Sequence, residues 1–411
     1  MSADTGPFDV VLWGATGFTG KLVAEHLLAR HGVDGELRWA IGGRNQSKLE
    51  ELRSDLGPAA ANVPIVLGDA TDPGSLRSLV ANARVVCTTV GPYARYGNEL
   101  VAACVETGTD YCDLTGEVQW MRRMVDEHHD AAAASGARIV HAAGFDCIPT
   151  DLGTWFTQQR MIEQTGSPSP HISIRIAGAW GGVSGGTFAS AIDLLAELGS
   201  GDADHVFDDP YALNPPGLRH GADGPDPARP TQDADGHWTA PWLMAIVDLR
   251  IIRRSHALLA QPWGEDFRVD ERLRLPRGPA GLVLATSVAA GMAAAKAGGG
   301  IGPVRKLAER FGPDPGQGPS PRTQERGFFD IRFHAHDTDG NVVLRTRVEG
   351  DRDPGYGSTA KMLGEAAACL ALDELDSGGG ILTPAAAMGG ALVDRLNQHA
   401  GVTFMVDEPA G

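Results

Sequence analysis

The chain has 411 residues, 42% of them hydrophobic, with 35 basic and 52 acidic side chains for a net charge of −17. That length supports two domains with full cores, and the acidic balance, with no basic stripe, excludes a nucleic-acid-binding protein. A polar, acidic start (residues 1–9) predicts no signal peptide, and five cysteines without a Cys-x-x-Cys pair read as reduced thiols of a cytoplasmic protein.

Residues 10–20 read VVLWGATGFTG: a short apolar run, then glycines at 14, 17 and 20. Past Gly20, residues Leu22, Val23, His26, Leu27 and Arg30 recur at helical spacing. Strand, glycine turn and helix N-terminus together predict a phosphate cradle, where backbone N–H groups and the positive end of the helix dipole face a dinucleotide pyrophosphate. Gly14, Gly17 and Gly20 supply the tight turn, the close approach to phosphate and the helix–strand contact. Thr16, Phe18 and Thr19 belong to the same loop. A purely structural glycine turn is the alternative. The order of strand and helix near the chain start favours the dinucleotide.

The next strand falls in residues 37–44 (LRWAIGGR), and no acid stands at its tip to hold ribose hydroxyls. Arg44 stands there instead, with Lys48 one helical turn on, a pairing suited to the 2′-phosphate of NADP. The plainer reading is a solvated surface arginine. Residues 64–72 (PIVLGDATD) predict a strand with Asp69 at its tip, toward the adenine edge. Residues 83–93 (ARVVCTTVGPY) predict another, which brings Gly91 and Pro92 beside the diphosphate and nicotinamide. Strands alternating with helical stretches indicate an α/β fold with a doubly wound parallel sheet and ligands at the strand C-termini.

Further on come a helix near 99–107, the segment GTDYCDLTGE (108–117), a helix at 118–135, a strand at 137–143, and GFDCIPTDLG (144–153). Tyr93, at a strand tip, is a candidate proton donor, with loop packing as the alternative. Asp113 and Glu117 are explained by helix capping. Asp146 is either a site acid or a helix-start residue. Residues 184–198 either line a substrate cavity or join sheet to helix, and 202–236 read as a surface excursion rich in Asp, Pro and Gly. Residues 278–295 are uncharged and flanked by Arg272, Arg274, Arg277, Lys296, Arg305 and Lys306. A buried helix is the plain reading, and contact with a bilayer or an acyl chain the sharper one. Arg250, Arg253, Arg254, Arg345 and Arg347 sit in apolar, strand-like patterns. His334 and His336 share a strand face but do not complete a metal site, so no metal is predicted. Asp353, Tyr356 and Lys361 reach toward the cofactor crevice, and Met362, Ala366, Ala367, Leu370 and Leu372 predict a buried helix after them. The domain boundaries that follow are 1–150 for dinucleotide binding, 151–355 for substrate, and 356–411 for a helical segment packing back on the first domain.

The set GATGFTG, GGR, TTVGPY, YCDLTGE and GFDCIPTDLG resembles the saccharopine dehydrogenase-like oxidoreductases. With SGGT, TAPWLMAIVD, RRSHALL, PGQGPS, GDRDPGYGSTAKM and GGILTPAAAMG, the chain is most similar to the trans-acting enoyl reductase group of actinobacteria. The resemblance spans nearly the whole chain apart from 201–236. It implies an NADP-type Rossmann domain and a second α/β (α+β) domain whose sheet covers the nicotinamide. It also implies reduction of a carbon–carbon double bond in an acyl thioester carried by a polyketide synthase, toward complex glycolipids. By motif it assigns Gly14, Gly17, Gly20, Arg44 and Asp69 to the cofactor, and Gly91-Pro92 to its nicotinamide end. Such chemistry needs hydride delivery, an oxyanion donor and a proton source, for which Tyr93, Tyr356 and Lys361 are the candidates. Two other readings stay open: a saccharopine-like amino-acid oxidoreductase, and a non-catalytic dinucleotide-binding protein of a lipid surface. Homo-oligomers and peripheral contact with the inner face of the plasma membrane complete the expectations.

Overall fold

The computed structural model describes residues 7–181, 205–298 and 318–407. The predicted segment 184–198, Arg305, Lys306 and the first half of PGQGPS lie outside the described residues. In chain order, strands β1 (Phe8–Trp13), β2 (Trp39–Gly43), β3 (Ile65–Leu67), β4 (Ala83–Thr88), β5 (Asp110–Cys112) and β6 (Arg138–Val140) alternate with helices. The first two of these helices are α1 (Phe18–His31) and α2 (Gln46–Asp55). Strands β7 (His171–Trp180), β8 (Thr231–Gln232), β9 (His237–Pro241), β10 (Arg268–Arg277), β11 (Phe328–His336) and β12 (Val342–Gly350) follow. The chain ends with β13 (Gly380–Leu382) and β14 (Val402–Val406). It divides into two compact units, Met1–Ile148 with Gly355–Val402, and Pro149–Pro354 with Thr403–Gly411.

The first unit holds a seven-stranded sheet in the order β13-β6-β5-β4-β1-β2-β3. All neighbouring strands in it run parallel, the α/β arrangement predicted from sequence. Val10, Val11, Leu12, Ile41, Val85 and Val86 are fully buried, as continuous apolar runs are in a sheet covered on both faces. The order in which successive strands join the sheet reverses between β1 and β4, which opens a crevice at the strand C-termini. The strands stop short of the predicted runs for local reasons. Past β3, Asp69 folds the chain into a turn by accepting from the Thr71 N–H (2.9 Å) and hydroxyl (2.8 Å). Past β4, Pro92 has no N–H to offer a ladder. The buried helix Thr359–Leu372 packs on α1 and on β1, β4 and β5. A Cβ on its Gly364 would stand 2.8 Å from the His26 ring, and the next residue, Glu365, pairs with His26 Nε2 at 2.8 Å.

The second unit holds a mixed sheet in the order β14-β12-β11-β7-β10-β9-β8. Here β7 and β10 are parallel, while β8–β9, β9–β10, β7–β11 and β11–β12 are antiparallel. Ile172, Ile174, Ile176, Ile331 and Phe333 are buried on the face that receives the helix Ile148–Thr165, whose Gly153 leaves room for the Phe333 ring. The opposite face alternates into polar residues, as period-two patterning requires. There Arg175 bonds Asp233 (2.8 Å) and Asp270 (2.7 Å), and Ser173 bridges Asp270 and His336. His334 and His336 share this face, and among the described residues no group of three or more His, Cys, Asp or Glu is placed to hold a metal.

One expectation is corrected. Arg250, Arg253 and Arg254 are not in a strand but on the helix Ala245–Leu258, and all three are buried. Each guanidinium is engaged by the Asp/Pro-rich segment before it. Arg250 pairs with Asp226 (2.9 Å), Arg253 with Asp223 (2.8 Å), and Arg254 donates to the Leu213 carbonyl. That segment in turn buries Tyr211, Ala212 and Leu213. Apolar neighbours plus a cation fit either period when the charge is paired inside the fold, so the pattern alone misleads.

Candidate functional site

The glycine loop after β1 is built from backbone constraints. Gly14 takes φ +87°, and a Cβ there would meet Val90 at 2.6 Å and Thr89 at 2.9 Å. Its carbonyl accepts from Gly17 N–H (3.0 Å) and the Thr89 hydroxyl (3.1 Å). Gly20 seats the first turn of α1 directly on that carbonyl: an added Cβ would stand 2.3 Å from it. Gly17 is the N-cap residue of α1, extended in backbone and with no side chain bonding the first turn, which also carries no acid. The N–H groups of Phe18, Thr19 and Gly20 therefore head a helix whose positive end is open to an anion. Thr16 and Thr19 are half-buried at the rim, and Gly17 is exposed.

Arg44 follows β2 directly and is exposed, as is Lys48 in the first turn of α2. Asn45 caps that helix by accepting from the Lys48 N–H at 3.0 Å, which fixes the turn while leaving both cations at the sheet edge. Asp69 at the tip of β3 is exposed. The Thr71 N–H and hydroxyl hold its carboxyl below the usual range, with the Arg44 charge adding to the effect. No carboxylate occupies the β2 tip itself. This donor set fits NADP: a cradle that side chains would fill, an uncapped helix start, and two exposed cations just past β2.

At the end of β4, Gly91 and Pro92 are exposed while Tyr93 is buried. The Tyr93 hydroxyl donates to the Thr88 carbonyl (3.3 Å), and its ring stacks on Trp120 at 5.6 Å. Burial and the nearby Asp113 push its pKa well above the phenol value. Glu117 accepts from the N–H groups of Tyr93 (2.7 Å) and Ala94 (2.8 Å), so it fixes the turn that follows Gly91 and Pro92. The packing alternative for Tyr93 is the one its surroundings support.

Beyond β5 and β6 lies a constellation that helix-capping reasoning missed. Asp113 is fully buried and accepts from the Tyr111 hydroxyl (2.8 Å), the Thr115 N–H (3.1 Å) and the Ala142 N–H (3.1 Å). Its Oδ2 also lies 2.8 Å from His141 Nδ1. Ala142 has φ +59°, a costly conformation for a residue with a Cβ, and the Asp113 bond holds it there. The signal available in sequence was a histidine set at a strand tip, in RIVHAA. The loop continues to Asp146, half-buried, whose carboxyl is pushed up to about 6 by desolvation. Phe145 N–H donates to Thr359 Oγ1 at 3.0 Å, which ties this loop to the start of the helix that carries Lys361. One turn earlier, Tyr356 is buried with its ring edge-on to Phe18, centroids 5.1 Å apart. The glycine loop, Tyr356, Thr359 and the Asp146 loop thus form one chain of contacts within the first unit.

These features define an oxidoreductase built on an NADP-binding Rossmann domain. Residues 10–140 match the saccharopine dehydrogenase NADP-binding domain. A putative trans-acting enoyl reductase of Mycobacterium tuberculosis is 41% identical over 98% of each chain. The trans-acting enoyl reductase of Mycobacterium leprae is 39% identical over 98% of this chain and 99% of its own. The chain belongs to the saccharopine dehydrogenase-like oxidoreductases, in the group of the trans-acting enoyl reductases. Among solved structures, the saccharopine dehydrogenase (L-Glu forming) of Saccharomyces cerevisiae shares the fold, with a TM-score of 0.53 and 14% identity over 97% of this chain and 99% of that one.

Proposed function

We propose that this protein reduces the carbon–carbon double bond of an enoyl thioester, using NADPH and acting in trans on an acyl chain held by a polyketide synthase. The full-length likeness to proteins bearing that name carries the reading, and the open phosphate cradle with Arg44 at the β2 tip agrees with it. NADPH, when bound, supplies the hydride that goes to the β-carbon. The π electrons of the double bond then move onto the thioester oxygen, and a proton must reach the α-carbon to complete the product. Lys361 is proposed to offset the enolate charge. Asp146, whose carboxyl is raised to about 6 by desolvation, is proposed to deliver the proton. Tyr356 and Tyr93 are assigned positioning roles, through Phe18 and the Gly91-Pro92 loop.

A polycarboxylate substrate such as saccharopine would need unpaired arginines to bind it, and Arg250 and Arg253 are taken by aspartates. Titration with NADPH and NADH, followed by enoyl thioesters and saccharopine under the same readout, tests the reading. It expects preference for NADPH and oxidation only on enoyl thioesters; turnover of saccharopine alone contradicts it.

A further inference from the structure

The helix Gly278–Gly298 is anomalous for the surface of a protein with net charge −17. It is 21 residues long and carries no charged residue before Lys296, yet it packs on β9 and β10 along one narrow stripe. Gly281 and Ala285 are buried on that stripe, and Val288 and Met292 are half-buried. The three consecutive residues Leu282, Val283 and Leu284 are 41%, 65% and 47% exposed. Successive residues on a helix point 100° apart, so these three present apolar surface around more than half of the circumference. An ordinary surface helix carries its charges there.

Charge is segregated around the same feature. From Arg272 to Gly298 the chain holds four basic residues, Arg272, Arg274, Arg277 and Lys296, and no acid; Arg272 and Arg274 pair with Asp270 (3.5 Å) and Asp235 (2.9 Å). Arg277, at the foot of the helix, is exposed. So is Arg229, whose carbonyl accepts from Arg272 at 2.9 Å, which places it beside the same strand. At the corresponding end of the sheet, the paired residues Trp180 and Phe328 are 61% and 48% exposed.

We propose that this helix is a membrane-docking element that lies in the interface of an anionic lipid surface, its apolar ridge among the acyl chains and the exposed Arg277 and Arg229 at the headgroups. No described helix is long and apolar enough to cross a membrane, so the element rests on the surface and does not span it. Basic flanks on an apolar ridge are what an anionic interface recognises, and aromatic rings favour the headgroup boundary. A second copy of the chain is the poorer occupant. A ridge about 31 Å long and about 10 Å wide offers roughly 300 Å², against about 800 Å² per partner in a standard protein interface.

Flotation of the full chain with vesicles of phosphatidylglycerol and phosphatidylcholine, or of phosphatidylcholine alone, tests this. The wild type floats with the anionic vesicles and less with the neutral ones, and added salt weakens the association. The variant L282S/V283S/L284S partitions about tenfold less, and Arg277→Glu loses the preference for anionic lipid. Both keep the wild-type melting temperature and NADPH affinity, and Val343→Ser, an exposed apolar change elsewhere on the sheet, floats normally. Failure of the wild type to float with any vesicle overturns the proposal, as does equal flotation of the triple variant. So does self-association that the triple variant abolishes while lipid binding is absent, which would mark the ridge as a contact between copies.

Discussion

Gly20 sits so close to Gly14 that a Cβ on it would stand 2.3 Å from the Gly14 carbonyl oxygen and 2.8 Å from Ala15 Cα. Both obstacles are backbone, so a methyl group there must push α1 off the loop. Gly20→Ala is therefore expected to lower NADPH affinity by about tenfold or more, because first-turn N–H groups displaced by even about 1 Å no longer meet the phosphate. Fluorescence titration checks it, with circular dichroism to confirm that the fold persists. Unchanged affinity would remove the loop from the cofactor site.

Arg44 and Lys48 are the residues we propose to distinguish the two nicotinamide cofactors. Charge-assisted bonds to a phosphate contribute roughly 1.5–3 kcal/mol, so Arg44→Ala should weaken NADPH by about 10–100-fold while NADH binding changes little. Equal losses for both cofactors would refute the 2′-phosphate assignment.

The parts of the fold that answer to local chemistry were legible in the residues. The glycine loop declares itself because each glycine meets a backbone constraint, and β1 and β2 because strands covered on both faces are apolar throughout. The helix Val118–Ser135 matches its predicted span, since Gly136 at its C-cap takes the left-handed φ that ends a helix. What could not be read was pairing at a distance. Nothing near Asp113 in sequence shows that its carboxylate will hold His141 and Ala142, and nothing near Arg253 shows that Asp223 will neutralise it inside the fold. Burial turned three arginines from a strand-like pattern into the buried face of a helix, and turned Tyr93 from a loop candidate into a stacked core residue.

Asp146 carries a pH prediction. Its carboxyl is raised to about 6, and a proton donor must be protonated to act. The rate on an enoyl thioester should therefore be flat below about 6 and fall as pH rises through that value. Asp146→Asn should lower kcat far more than it raises KM and remove this limb of the profile. A profile of unchanged shape in the variant would dismiss Asp146 as the donor.

Glu271 on β10 predicts a pH-dependent stability. Burial, with Asp226 and Asp270 nearby, pushes its carboxyl from 4.5 up to about 8. The folded chain keeps this proton to higher pH than the unfolded chain does. The contribution is fully present below about 4.5 and is lost as pH rises to about 8. Melting temperature should fall across that window, and Glu271→Gln should flatten the decline and exceed the wild type at its upper end. A variant with the wild-type slope would place the titration elsewhere.

Enoyl reduction by this protein is tested most directly by following NADPH absorbance and the mass of the acyl product together, on a synthase-bound or carrier-bound enoyl chain. One NADPH should be consumed for each acyl chain that gains two hydrogens, with Arg44→Ala slowed and NADH a poor substitute. Binding of NADPH without any reduced acyl product, on a chain presented by its synthase, would contradict it.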